Sequence, residues 1–170
     1  MNAAEPARSR GAVVSEGVLA GVIAASAVAV VLLLVDVLSG QALQTPTKLG
    51  GMLLTVMGSS EVTSGDMATP LALYTLFHFV VFMIAGILAA AAVQVTVKQP
   101  TAILLFVILF FAFEVVFTGF VAYLDVASIE SITPYQVAIG NVVASIAMVL
   151  FFRARHPALR NIGRTLSREE

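Results

Sequence analysis

Four side chains that can hold a proton or make a strong hydrogen bond stand in or at the edge of otherwise apolar stretches: Asp36, His78, Glu114 and Asn141. Glu114 is the sharpest case, alone in "FFAFEVVF" at 110–117. At the centre of a bilayer an isolated ionised carboxylate costs about 2.5–3.5 kcal/mol on insertion scales, so Glu114 is expected to be protonated or paired. Burial disfavours the charged form of either Glu114 or His78, whereas contact between them favours both charged forms. Each has polar company on its own helical face. Thr118 is one turn from Glu114, Thr75 precedes His78, and Ser145 follows Asn141. Three chemistries fit. The first is an interhelical hydrogen-bond network that fixes register, each bond worth roughly 1 kcal/mol in lipid. The second is a proton or ion site in which Glu114 exchanges a proton and His78 tunes it. The third is a metal, quinone or pigment contact at His78, for which the sequence supplies few ligands.

Other chemistry is excluded by what the chain lacks. It has no cysteine, hence no disulfide, thiolate metal site or thiol redox centre. No spacing matches a paired Glu-x-x-His di-iron set, a phosphate loop, a nucleophile elbow or a zinc-protease helix. The sequence therefore predicts no cofactor and a non-enzymatic role. The basic segment "HPALRNIGRTLSREE" reads as an orientation anchor touching anionic lipid, not as a nucleic-acid binder.

The elements that must position these residues follow from composition. The chain is 59% hydrophobic and 11% charged, with a mean hydropathy of +1.01, far from a soluble domain's roughly 25% charged residues. A hydrocarbon core of about 30 Å needs roughly 20 apolar residues in a helix. Segments 17–38, 71–97, 101–124 and 135–152 meet that length. Helix is the economical choice because open strands leave backbone groups unsatisfied in lipid. The expected fold is all-α: a polytopic, antiparallel four-helix transmembrane bundle over 17–152, with tails at 1–16 and 153–170. The first apolar run is too long for a signal-peptide core.

Arg8, Arg10, Lys98, Arg153, Arg155, Arg160, Arg164 and Arg168 fall on one side of this arrangement and Lys48 on the other, which predicts a bacterial inner-membrane protein with both termini cytoplasmic. In the outer loop 39–70, Thr45 is placed to cap a helix with Pro46 in its first turn. The apolar run 49–57 is too short to span, so the loop is expected to hold an interfacial or re-entrant helix, with a plain soluble loop helix as the alternative.

Small residues mark packing faces: Gly17, Gly21, Ala25 and Ala29 in the first helix, and Ala85, Ala89 and Ala92 in the second. Depth follows from rise: Glu114, His78 and Asn141 lie roughly 15, 10 and 9 Å from the outer edge, at 1.5 Å per residue. Comparable depth on three helices suggests one inward-facing polar cluster, with Asp36 at its rim. No internal repeat supports an inverted-repeat transporter within one chain.

The series "DVLSGQALQTPTKLGG", "LFHFVVFMIAG", "FEVVFTGF" and "GNVVASIAMVLFFRARHPALR" resembles a group of small, uncharacterised bacterial four-span membrane proteins. The resemblance implies the same four-helix architecture and points to Asp36, Thr45, Pro46, His78, Glu114 and Asn141, but to no substrate. The function expected from the residues is a packing or accessory subunit of a larger membrane assembly. A small homo-oligomeric proton-linked transporter or channel is the alternative, and a cofactor-binding protein using His78 the third. The expected partners are the lipid bilayer and other membrane subunits or copies of the chain.

Overall fold

The computed structural model describes residues 9–59, 66–98, 114, 115, 119 and 134–156. Among them all regular structure is helical: α1 (Arg10–Leu38), α2 (Gln44–Val56), α3 (Ala68–Lys98) and α4 (Pro134–Arg155). Three stretches, Arg10–Leu38, Ala68–Gln94 and Ala138–Arg155, are long and apolar enough to cross a membrane. The expected span 101–124 lies outside the described residues except for Glu114, Val115 and Gly119, which are helical. Both tails, apart from Ser9 to Glu16 and Arg153 to His156, also lie outside.

Each described helix starts where local chemistry lets it. α1 begins at Arg10, ahead of the charge-free run that marks it in the sequence, because the Ser9 side chain accepts the Ala12 N–H at 3.3 Å. It ends at a turn in which Gly40 takes φ +73°, a left-handed conformation that costs glycine little. Leu43 then adopts φ 65° and α2 follows from Gln44. Thr45 is therefore already inside the helix instead of capping it, and a side chain from α1 takes over the capping role. α3 is capped by Asp66, whose Oδ1 accepts the Ala68 N–H at 2.9 Å.

α1 is the central element, packed along α3 and against α4, while α2 lies on α3. The α1–α3 crossing is close because glycines meet there. A Cβ on Gly86 would stand 2.6 Å from the Gly21 backbone nitrogen, and one on Gly21 would stand 2.6 Å from Met83 Cα. Gly17 meets Gly86 and Ile87 in the same way, and Gly50 of α2 meets the backbone of Pro70. Small residues also fill the core, with Ala20, Ala24 and Ala25 fully enclosed and Ala89, Ala90 and Ala144 nearly so. Between apolar helices in lipid, association rests on such close packing, since the acyl chains are as apolar as the side chains.

Two details depart from the expected stripes. Ala29 is exposed, so the contact face of α1 runs on through Ala24 and Val28. In α3, Ala89 and Ala92 are buried and Ala85 is half-buried, but Gly86 makes the closest approach. Outward faces carry large apolar side chains: Leu19 and Leu34 on α1, Leu76 and Ile84 on α3, Ile146 and Leu150 on α4.

Candidate functional site

The polar residues of the spans form separate contacts. At one end of α1, Asp36 is 5% exposed and faces α2. Its Oδ2 accepts the Thr45 N–H at 2.8 Å and its Oδ1 accepts the Thr45 hydroxyl at 2.5 Å. Other amides of this first turn are taken locally: Gln44 N donates to Gln41 O and Thr47 N to Leu43 O. Pro46 has no N–H to offer. The α2 N-terminus, otherwise a natural anion site, is closed by the protein's own carboxylate.

One layer deeper, His78 is buried on the α1 side of α3. Nε2 lies 3.1 Å from the Ala25 carbonyl oxygen, and Nδ1 lies 3.4 Å from the Tyr74 hydroxyl. A carbonyl only accepts, so Nε2 carries the proton it donates, and Nδ1 of the neutral ring accepts from Tyr74; this tautomer is assigned from the partners. Tyr74, Phe79 and Phe82 surround the ring, Phe82 closest with a centroid separation of 4.7 Å. Asp36 also lies within electrostatic range of Tyr74.

Glu114 meets Asn141 of α4, whose Nδ2 donates to Oε2, and both residues are half-buried. Two of the expected neighbours are satisfied within their own helices: Thr75 Oγ1 donates to Leu71 O at 2.7 Å and Ser145 Oγ to Asn141 O at 2.7 Å. Such back-bonding is the usual fate of a hydroxyl in a helix. Thr118 lies outside the described residues. The structure thus brings Glu114 to Asn141, and His78 to Tyr74 and Ala25.

A fourth contact has no counterpart in the sequence reading. At the opposite end of α1, Glu16 Oε1 lies 2.9 Å from His156 Nε2, with both residues buried. It ties the start of α1 to the end of α4. The signal for it was available in principle, since both residues sit where spans of opposite direction meet the same side.

Among the described residues no three of His, Asp and Glu come together as a metal set. Ligation through His78 would have to break the bond to Ala25 or to Tyr74. A hollow of about 290 Å³ lies beside α2, lined by Gln41, Ala42, Gln44, Thr47, Lys48 and Met67, and the buried Thr47 hydroxyl has no hydrogen-bond partner among the described residues.

No family model matches the chain, and neither does any curated protein or solved structure.

Proposed function

We propose that the protein is a non-enzymatic integral membrane protein of the bacterial inner membrane, four-span and with cytoplasmic termini, acting as a packing or accessory subunit of a larger membrane assembly. The observation that carries this reading is that four polar side chains of the spans, Asp36, His78, Glu114 and Asn141, are spent on joining helices. His78 holds α3 to α1, Asp36 holds α1 to α2, and Asn141 holds α4 to Glu114. A site for turnover needs groups converging on space for a substrate. The outward faces remain large and apolar, suited to lipid or to other subunits.

Purification from the native membrane in a gentle detergent, followed by intact-complex mass, tests this reading. A heterologous complex is expected, with Glu114→Gln weakening assembly. A homo-oligomer without other subunits would overturn it.

One observation favours a second reading, a small proton-linked transporter or channel. Glu114 and Asn141 are only half-buried, so their contact is not sealed as those of Asp36 and His78 are. This reading expects pH-driven flux in proteoliposomes, lost in Glu114→Gln with the fold intact.

A further inference from the structure

At the Glu16 end of the bundle the exposed charged side chains among the described residues are arginines. Glu16 is buried against His156, whereas Arg10, Arg153 and Arg155 are exposed. Their surroundings differ. Arg155 lies over the Phe151 ring, 5.5 Å from its centroid. Arg153 stands on the outward face of α4, because helical periodicity aligns it with Val142, Ile146, Val149 and Leu150 within one stripe about 100° wide. These four residues are 48–62% exposed. From Val142 to Arg153 the helix rises roughly 16 Å, about half of a 30 Å hydrocarbon core. The ridge is therefore one leaflet tall and ends in a guanidinium. Among the described residues no carboxylate pairs with that group.

A planar fork of donors suits a phosphate, and an apolar ridge beneath it suits an acyl chain. We propose that α4 binds an anionic phospholipid, its phosphate on Arg153 and an acyl chain along Val142, Ile146 and Leu150. A headgroup with net negative charge is selected because a zwitterionic one brings a second cation towards Arg10, Arg153 and Arg155. This site rests on the transmembrane reading and is independent of the accessory role.

Native mass spectrometry of the full chain tests it, with micelles carrying equal amounts of phosphatidylglycerol and phosphatidylcholine of matched chain length. Retention of phosphatidylglycerol is expected to exceed that of phosphatidylcholine by about fivefold, the scale of one arginine at an anionic surface. Arg153→Gln should abolish the preference, Arg153→Lys should keep most of it, and Arg155→Gln should leave it nearly intact. Ile146→Asn should lower retention of both lipids with the guanidinium still present. Equal retention of the two lipids by the wild-type chain would overturn the proposal, as would an unchanged preference in Arg153→Gln. Lipid preference is read on whatever assembly carries the chain, so a preference seen on a homo-oligomer would sink the accessory role and leave the lipid site standing.

Discussion

The Asp36 carboxylate, on the last turn of α1, closes the first turn of α2 by accepting both the amide and the hydroxyl of Thr45. The contact does for α2 what a capping residue of its own would do, with the cap supplied from a neighbouring helix. Asp36→Ala leaves a buried N–H and O–H without an acceptor and is expected to cost about 1–2 kcal/mol, the range of a lost helix cap. Amide exchange in the first turn of α2 should accelerate while α1 and α4 stay protected. Unchanged exchange at Thr45 would show that the carboxylate is not the cap.

Gly50 and Gly51 are neighbours with opposite surroundings. A Cβ on Gly50 would run into the Pro70 backbone, whereas one on Gly51 meets nothing within 4 Å. Gly50→Ala is expected to destabilise by about 1–3 kcal/mol through overpacking. Gly51→Ala should stabilise α2 by roughly 0.5–1 kcal/mol, since alanine costs less conformational entropy in a helix. Thermal midpoints of the two variants in the same detergent should move in opposite directions, and a shared direction would refute the α2–α3 geometry.

For His78, the Ala25 carbonyl fixes the proton on Nε2. Nitrogen-15 NMR of the labelled ring should show a protonated Nε2 and an unprotonated Nδ1. Tyr74→Phe removes the hydroxyl that Nδ1 accepts and should cost about 0.5–1.5 kcal/mol, a typical net hydrogen bond. A spectrum with the proton on Nδ1 would reverse the ring and remove the α1–α3 contact.

Asp66 provides a pH test outside the spans. Hydrogen bonds from the Thr69 hydroxyl and amide, then from the Ala68 amide, hold its carboxyl below the usual carboxylate range. A depressed value means that its contribution is present above the unfolded carboxylate's pKa and is lost as pH falls through the folded one. Exchange at Ala68 and Thr69, relative to the intrinsic rate at each pH, should therefore rise on acidification from about pH 4 downward, near where a free Asp titrates. Asp66→Asn should flatten that rise, and a pH profile identical to wild type would exclude Asp66 as the titrating cap.

Glu16 and His156 clamp the other end of α1. Glu16→Ala leaves the buried imidazole without its carboxylate partner, at a cost of about 1–3 kcal/mol. Glu16→Gln retains an acceptor oxygen and should lose less. Amide exchange in the first turns of α1 should quicken in the order wild type, Glu16→Gln, Glu16→Ala. The same rates in all three would show that the pair does not hold α1 to α4.

Helices were legible in the sequence because apolar length and helix are tied together by the bilayer, and Gly17 and Gly21 were legible as a close-packing pair. Rotation about each axis was not. Ala29 continues the four-residue spacing of Gly17, Gly21 and Ala25, yet it has rotated off the contact face, because a straight α-helix drifts against a spacing of four. Gly86 is masked in the sequence by the more numerous alanines, though it is the lack of a side chain that lets it meet the backbone of Gly17 and Gly21. His78 stood out as a buried histidine, but its main partner is the backbone carbonyl of Ala25, and a carbonyl leaves no trace in residue type. Asp36 and Thr45 were each singled out without their pairing, since Thr45 alone satisfied the local rule for a cap. Glu16 and His156 lie at opposite ends of the chain, where no spacing rule connects them.

The two clamps of α1 also define a length. Glu16 and Asp36 are the acidic residues of this helix, and between them it rises roughly 30 Å at 1.5 Å per residue, which matches the hydrocarbon thickness of an average bilayer. Because both ends are fastened to neighbours, through His156 and Thr45, α1 cannot slide to suit a thinner or thicker membrane without breaking one of them. A mismatch must instead be taken up by tilting the bundle as a unit or by deforming the lipid around it. The helix is a gauge, and the membranes in which this protein rests without strain are those whose thickness it measures.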